Sequence, residues 1–158
     1  GAGVNKVVLL SHVGYGVDQA LAGSLSGVDV IVGGDSHSLL GDPQGAGLVG
    51  STDGPYPTMG VNQDGDPVCV VQAWEYAHLM GHLKVVFDDD GRVVQCSGHP
   101  KFPIQGAGEP FDPALAGADA GSLVQALRAR GVFYPVAEDA ATKALVAAYG
   151  GDVAAMKA

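Results

Sequence analysis

Residues 28–38 carry the stretch that decides the fold, Val-Asp-Val-Ile-Val-Gly-Gly-Asp-Ser-His-Ser. Its first five residues are mostly apolar and β-branched, which is typical of a short strand buried on both faces. The strand is expected to end at the double glycine, and Asp35 and His37 follow two positions apart. Side chains at this spacing project to the same side of an extended segment. A buried strand that ends in such a pair predicts a polar site at one edge of a parallel sheet.

A second strand of the same kind is predicted at residues 4–11, and His12 stands at its end. Between the two strands, residues 17–26 have apolar side chains four positions apart, which predicts a helix. This β-α-β order implies parallel strands joined by a right-handed crossover. His12, Asp35 and His37 are therefore expected at the same carboxyl edge of one sheet.

The pattern of predicted elements changes after a Gly- and Pro-rich loop at residues 41–55. Four strand-like segments follow, and Asp-Gly pairs between them predict an antiparallel meander. These segments are residues 56–61, 67–74, 82–87 and 92–96. From residue 100 the prolines and glycines predict a loop. Helices are predicted at residues 122–130 and 137–158, the second broken by a Gly-Gly pair, with Ala141, Leu145 and Ala148 on its apolar face.

The bulk composition limits the classes of function. The 158 residues are 47% hydrophobic, which is enough for one domain with a core. The net charge is −9 with only 8 basic residues, so a nucleic-acid partner is excluded by repulsion from phosphate. No apolar run has the length of a membrane span. No targeting signal is recognisable at the start of the sequence.

The two cysteines, Cys69 and Cys96, lie in separate strand-like segments and form no Cys-x-x-Cys motif. A zinc ribbon or a thioredoxin-type site is therefore not indicated. Two interpretations stay open, a pair of buried free thiols or a cross-strand disulfide formed in an oxidising compartment.

Metal binding is the chemistry that His12, Asp35 and His37 favour. Imidazole and carboxylate groups bind Zn, Mn, Mg or Fe, and a two-metal centre activates water for in-line displacement at phosphorus. The alternative is that each is an ordinary hydrogen-bonded residue at a strand end. Three ligands are also too few to hold two ions, so further ligands are expected from elsewhere in a longer polypeptide or from a partner.

The other polar and aromatic residues carry weaker signals. His78 and His82 are interpreted as surface residues and His99 as a loop residue. Trp74 is expected either in the core or along a substrate cleft. The acidic run at residues 88–91 is interpreted as a hairpin turn rather than a calcium loop, because the bidentate Glu of such a loop does not follow.

Four segments of the chain together resemble the secreted 5′-nucleotidases, which belong to the calcineurin-like metallophosphoesterases. The first and third read Val-Asn-Lys-Val-Val-Leu-Leu-Ser-His-Val-Gly and Val-Val-Gln-Ala-Trp-Glu-Tyr. The second is the stretch at residues 28–38, and the fourth reads Gly-His-Leu-Lys-Val-Val-Phe-Asp. The resemblance extends from residue 4 to about residue 100 and is loose after that.

The resemblance implies half of a four-layer α/β/β/α metallophosphoesterase sandwich. Residues 1–105 would be the C-terminal half of that domain, and residues 106–158 a loop and linker helices toward a missing C-terminal domain. His12 and His37 stand at two ligand positions of the family. Asp35 replaces a histidine, which leaves open whether it binds metal or only supports a ligand. The catalytic Asn-His pair of the family does not occur in the chain, so no catalytic residue is assigned.

The resemblance also implies the function. We expect part of an enzyme that uses two divalent metal ions to hydrolyse nucleotide phosphate monoesters, periplasmic or secreted, with little or no activity in this chain alone. One alternative is a non-catalytic fragment or binding module that retains the half-sheet. Another is a sulfur-compound hydrolase of the same superfamily. The expected partners are a nucleotide substrate, the missing N-terminal half of the domain and, through an open sheet edge, a second copy of the chain.

Overall fold

The protein is described by a computed structural model that covers residues 3–41, 52–105, 125, 129, 131, 133–137 and 139–156. It is of the α/β class, as predicted, with one sheet of four strands and one of three among these residues. Most of the predicted helix at residues 122–130 and most of the predicted loop at residues 41–55 lie outside the described part. Among the described residues, no helix has the length and apolar character that a membrane crossing requires.

The predicted β-α-β unit forms the centre of the first sheet. Strands β1 (Val8–Leu10) and β2 (Val30–Val32) pair in parallel, and helix α1 (Tyr15–Ser24) connects them. Both strands are shorter than predicted. The Val7 N–H group donates to Asp29 Oδ2 at 2.7 Å, so a side chain takes the place of a ladder bond and regular pairing begins only at the next residue.

Strands β3 (Thr58–Val61) and β4 (Pro67–Val71) form the antiparallel hairpin that the Asp64-Gly65 pair predicts. The hairpin does not continue into a separate meander, however. β4 pairs in parallel with β2, which gives the strand order β1-β2-β4-β3. The predicted simple meander is therefore wrong at β4. Four of the five residues of β4 are buried, and an apolar strand of this kind is stable between two neighbours.

The second sheet consists of β5 (Met80–Phe87), β6 (Val93–Gln105) and β7 (Phe133–Val136). β5 and β6 are antiparallel and joined by the predicted turn, with Gly91 at a φ of 90°. β6 continues past residue 100, where a loop was expected. A proline removes a single backbone donor, and pairing on both sides of each proline continues the strand.

Alternation of side chains divides the core into two layers. One layer lies between α1 and the first sheet, and the other lies between the two sheets. The first contains Ile31, Val68 and Val70, and the second contains Val30, Cys69 and Val93. Each fully buried aliphatic side chain contributes about 1.5–3 kcal/mol relative to exposure. The order helix, sheet, sheet gives three layers of the expected sandwich.

Cys69 on β4 and Cys96 on β6 form a disulfide, with their Cα atoms 6.3 Å apart. Both side chains point into the layer between the two sheets. The interpretation as free thiols is therefore wrong. The disulfide connects the strand that leads to the candidate site with the second sheet.

Asp139 directly precedes helix α2 (Ala140–Met156), and its carboxylate accepts a hydrogen bond from the Thr142 N–H group at 2.7 Å. The hydrogen bonds from Thr142 lower the pKa of Asp139. The helix runs through the Gly-Gly pair, so the predicted break is wrong, because a glycine costs a helix only about 1 kcal/mol relative to alanine. The expected apolar face at Ala141, Leu145 and Ala148 is exposed.

Candidate metal centre

The three parallel strands of the first sheet remain hydrogen-bonded up to their carboxyl ends. Ser11 N donates to Val32 O at 2.9 Å, and Gly33 N donates to Val71 O at 2.8 Å. The residues that follow these bonds therefore start from one edge. As predicted, His12 and the segment that carries Asp35 and His37 belong to this edge.

His12 and Asp35 form the first pair of candidate ligands. His12 Nε2 lies 3.7 Å from Asp35 Oδ1, and the two side chains are 80% and 59% exposed. Gly34 lies directly beside the imidazole, because a Cβ atom at this position would stand 2.8 Å from His12 Nδ1. The glycine therefore provides the space that the His12 ring occupies.

His37 forms a second pair with Glu75, a residue that the sequence did not single out as a ligand. His37 Nδ1 lies 3.2 Å from Glu75 Oε2, and the His37 ring contacts the edge of Tyr76 with centroids 5.1 Å apart. Glu75 follows β4 by four positions and so returns to the edge where β2 ends. The sequence contains no local signal for this role, because the parallel pairing of β4 with β2, which brings Glu75 to this edge, depends on contacts between distant residues.

Left-handed backbone conformations are concentrated in this region. Asp35 has a φ of 74° and His37 a φ of 52°. Three residues in the segment after β4 are also left-handed. These are Trp74, Tyr76 and Ala77. The expectation that Asp35 and His37 project to the same side is wrong, because it assumes an extended segment. Asp35 faces His12 instead, and His37 faces Glu75.

The arrangement is therefore two histidine–carboxylate pairs at one sheet edge. Within the described residues, no three His, Cys, Asp or Glu side chains converge on one point. Each pair supplies one nitrogen and one oxygen donor, which are ligand types that divalent metals accept. Metal binding by His12, Asp35 and His37 stays a prediction.

Hydrogen bonds fix the segment that carries Asp35 and His37. Ser36 Oγ accepts from Tyr15 N at 2.9 Å, and it lies 3.0 Å from Ser38 Oγ. Gln72 Oε1 accepts from Ser36 Oγ at 3.1 Å and from Ser38 N at 3.2 Å. The segment is thus connected to the start of α1 and to the end of β4.

The first turn of α1 places Asp18 beneath the same segment. Asp18 is fully buried, and neither carboxylate oxygen has a hydrogen-bond partner among the described residues. A Cβ atom on Gly33 would overlap Asp18 Oδ2. The double glycine therefore leaves room for Asp18 on one side and for the His12 ring on the other.

Of the remaining histidines, His82 and His99 lie on the second sheet, whereas His78 lies beside the second pair. The His78 N–H group donates to the Glu75 carbonyl at 3.0 Å, and its ring contacts Tyr76. His78 and His82 are exposed, as expected. His99 is a strand residue rather than a loop residue, since it pairs with His82 across β5 and β6 with ring centroids 6.3 Å apart. Trp74 is half-buried and contacts His78, outside both core clusters, so its interpretation as a core residue is wrong.

Comparison with known sequences gives a consistent set of relatives, although no model of a protein family matches the chain. The chain is 46% identical over 100 residues to a probable 5′-nucleotidase of Treponema pallidum, which covers 63% of this chain and 17% of the relative. It is 36% identical over 114 residues to the human 5′-nucleotidase, which covers 71% of this chain and 19% of the relative. The chain thus spans about a fifth of the length of these two relatives.

Two solved structures resemble the fold. The 5′-nucleotidase precursor of Thermus thermophilus matches with a TM-score of 0.59 and 50% identity, over 63% of this chain and 19% of that one. The NAD nucleotidase of Haemophilus influenzae matches with a TM-score of 0.75 and 27% identity, over 95% of this chain and 31% of that one.

Proposed function

Over the region that matches these relatives the chain belongs to the 5′-nucleotidase family, and we propose that it forms part of a metal-dependent hydrolase of nucleotide phosphate monoesters. The observation that carries this proposal is the position of the two histidine–carboxylate pairs at one edge of the parallel sheet. Ligands of open α/β sheets bind at this edge.

The donor atoms present fit a divalent metal. His12 and Asp35 would hold one ion and His37 another, and Glu75 is close enough to His37 to bind the same ion or to orient the ring. Because carboxylate oxygens also bind harder ions, the donor set is suitable for Mn, Mg and Fe as well as for Zn. Four donor residues are fewer than two ions need, so the remaining ligands are proposed to come from outside these 158 residues.

Bound metal ions supply Lewis acidity and an activated water for attack on phosphorus. The residues of this chain would position the metal ions. The backbone conformation at Asp35 and His37 directs the two side chains toward different neighbours, which separates two binding positions along one edge. The exposure of His12 and Asp35 leaves this edge open to a phosphate group.

The isolated chain is proposed to have little or no phosphatase activity, because it lacks the Asn-His pair and the full ligand set. A non-catalytic binding module and a sulfur-compound hydrolase of the same superfamily are the alternatives. The former predicts no metal binding, and the latter predicts hydrolysis of a sulfur compound instead of a nucleotide.

A periplasmic or secreted location is proposed for the parent protein. Its support is the disulfide between Cys69 and Cys96, since disulfides form and persist in oxidising compartments. The relatives also include 5′-nucleotidases of snake venom.

A chimera with the Thermus thermophilus relative tests the proposal. The matching region of that protein is replaced by the corresponding residues of this chain, and phosphate release from AMP is measured. We expect activity, and a loss of at least about 100-fold in His12→Ala or His37→Ala because metal ions supply several kcal/mol of transition-state stabilisation. The matched control is His82→Ala, which removes an exposed imidazole from the second sheet and leaves activity unchanged. A folded but inactive chimera, or equal activity in all four proteins, contradicts the proposal.

A dinucleotide is the second candidate substrate class. It is favoured by the likeness to the NAD nucleotidase, which extends over 95% of this chain. The same chimera is assayed with NAD in place of AMP, and the formation of the two mononucleotides is measured, because hydrolysis of the diphosphate bond releases no inorganic phosphate. Faster turnover of NAD than of AMP selects this candidate, and no turnover of NAD excludes it.

A further inference from the structure

The side chain of Gln72 connects the end of β4 to the segment that carries Asp35 and His37. Gln72 is only 3% exposed and follows the last residue of β4. Its Oε1 atom accepts one hydrogen bond from Ser36 Oγ at 3.1 Å and another from Ser38 N at 3.2 Å. The two donors belong to the residues on either side of His37. One acceptor thus fixes both ends of the three-residue unit whose centre is a candidate ligand.

Fixation is needed at this position because the backbone is strained. Left-handed conformations of residues other than glycine cost about 1–3 kcal/mol each and persist only where neighbouring structure imposes them. Asp35 and His37 both have this conformation. The two glycines, which adopt it at no cost, lie just before them in the sequence. Without the bonds to Gln72, the segment gains by relaxing toward ordinary φ values. The His37 ring would then leave Glu75.

The hydrogen-bond directions form one consistent chain. The Ser36 hydroxyl has a single proton, which it donates to Gln72, so the contact between Ser36 Oγ and Ser38 Oγ requires Ser38 as donor. Ser36 Oγ also accepts from Tyr15 N at the start of α1. The network therefore joins α1 to the segment after β2 through Ser36 Oγ, and it joins that segment to the end of β4 through the buried Oε1 atom of Gln72.

The two ends of the Gln72 amide have different surroundings. Oε1 carries both hydrogen bonds, whereas Nε2 is buried without a partner among the described residues. Gln72 lines a cavity of about 200 Å³ between the sheets together with residues such as Tyr56 and Leu83. A role of Oε1 in holding the segment can therefore be separated from a role of Nε2 in contacting a ligand.

We propose that Gln72 is a positioning residue that holds His37 in its metal-binding conformation through Oε1. The metal part of this inference rests on the proposed function, and the conformational part does not. A residue that orients a metal ligand in this way typically changes metal affinity by about 10–100-fold when removed. Gln72 touches neither the metal nor the substrate in this role.

Three variants of the full chain separate the possibilities. Gln72→Met keeps the shape of the side chain and removes both polar ends. Gln72→Glu keeps oxygen acceptors and removes the amide donor. Val68→Ala is the matched control, because Val68 is fully buried on the same strand and faces α1 rather than the site. Ser36→Ala is the additional variant if a buried carboxylate prevents Gln72→Glu from folding.

The first measurement is hydrogen exchange of the Ser38 amide together with the NMR shifts of the His37 ring, without metal. We expect Ser38 to exchange at least about tenfold faster relative to core amides in Gln72→Met, because a hydrogen bond of about 1 kcal/mol or more is lost. Ser36→Ala removes one of the two donors and gives a smaller increase. Val68→Ala leaves the ratio and the His37 shifts unchanged. Equal Ser38 exchange in Gln72→Met and the unaltered chain overturns the inference.

The second measurement is the Kd for Mn²⁺ by calorimetry. We expect an increase of about tenfold or more in Gln72→Met and recovery in Gln72→Glu. A Kd that rises equally in Val68→Ala, or that stays raised in a folded Gln72→Glu, overturns the positioning role of Oε1. Because this chain supplies only part of the ligand set, the same titration is made in the chimera, and the proposed metal function fails if the chimera with unaltered residues binds no Mn²⁺ either. The exchange and NMR data still decide whether Gln72 holds the segment.

Discussion

At the scale of a single residue, Gly34 matters because it leaves room for the His12 ring, and not because of its own dihedral angles. The left-handed conformations lie one and three positions later, at Asp35 and His37. A Cβ atom on Gly34 would stand 2.8 Å from His12 Nδ1, which is closer than real contacts of this kind. Because the His12 side chain is 80% exposed, its ring is free to turn away from an added methyl group.

Gly34→Ala is therefore expected to change the site more than the stability. We predict a rise of about tenfold in the Kd for Mn²⁺, as for other changes that disturb ligand orientation, with a nearly unchanged midpoint of urea unfolding. The control is Gly16→Ala, where an added Cβ meets no atom within 4 Å. This control lies within α1 and should be more stable by about 0.5–1 kcal/mol, with unchanged Mn²⁺ affinity. Equal affinity in both variants would show that Gly34 does not define the position of His12.

Tyr56 makes the stability of the folded protein depend on pH in the alkaline range. Burial raises the pKa of Tyr56 from 10.0 to about 12. The folded protein thus favours the neutral phenol more than the unfolded chain does. The contribution to stability is complete below pH 10 and is lost as the pH rises from 10 to about 12.

In Tyr56→Phe this part of the pH dependence should disappear. The free energy of unfolding is measured by urea unfolding at pH 8 and at two pH values above 10. Its decrease from pH 8 to the higher values is the quantity compared between the two proteins. We predict a steeper fall in the unaltered chain than in Tyr56→Phe. Parallel curves for the two proteins would mean that the Tyr56 hydroxyl does not resist ionisation in the folded state.

The elements of the first sheet follow from the sequence because their signals are local. Apolar β-branched runs predicted β1 and β2, and the Asp-Gly pair predicted the turn between β3 and β4. The pairing of β4 with β2 depends on contacts between distant residues, which a local pattern does not contain. The same reason explains why His12 and Asp35 were found as candidates but Glu75 and Gln72 were not. The first two are recognised by their place after a strand, and the others by what they contact.

The disulfide is the element-scale connection between the two sheets. Cys69 and Cys96 are 27 positions apart, and closing a loop of this length is worth about 3–4 kcal/mol in the chain-entropy estimate. The double variant Cys69→Ala with Cys96→Ala should lose stability of this order in urea unfolding under oxidising conditions.

A reducing agent provides the control for the disulfide prediction. It should destabilise the unaltered chain and leave the double variant unchanged. If the reducing agent shifts neither unfolding curve, the two cysteines are not joined in solution.

At the scale of the whole molecule, the first sheet ends at an exposed apolar strand. β1 forms one edge of that sheet, and Val8 and Leu10 are 57% and 78% exposed. An open strand edge with apolar side chains is a template for pairing with another chain. In the described residues, α1 and the second sheet cover the faces of the sheet but leave this edge free.

We therefore predict that the chain associates with a second copy through β1. Sedimentation equilibrium at micromolar concentrations should give a mass above 15.9 kDa that falls toward this value on dilution. Leu10→Lys places a charge on the edge and should shift the equilibrium to the monomer. The matched control is Val61→Lys on β3 at the opposite edge, where Val61 is 58% exposed. An unaltered chain that stays monomeric at every concentration refutes self-association through β1.

The most direct test of the metal assignment is a titration of the chain with Mn²⁺, monitored through the NMR signals of all five histidine rings. The account predicts that the signals of His12 and His37 broaden first, before those of His82 and His99 on the second sheet, because the two parallel strand ends present both rings at one edge. Equal broadening of all five rings, or broadening of His82 and His99 alone, would contradict it.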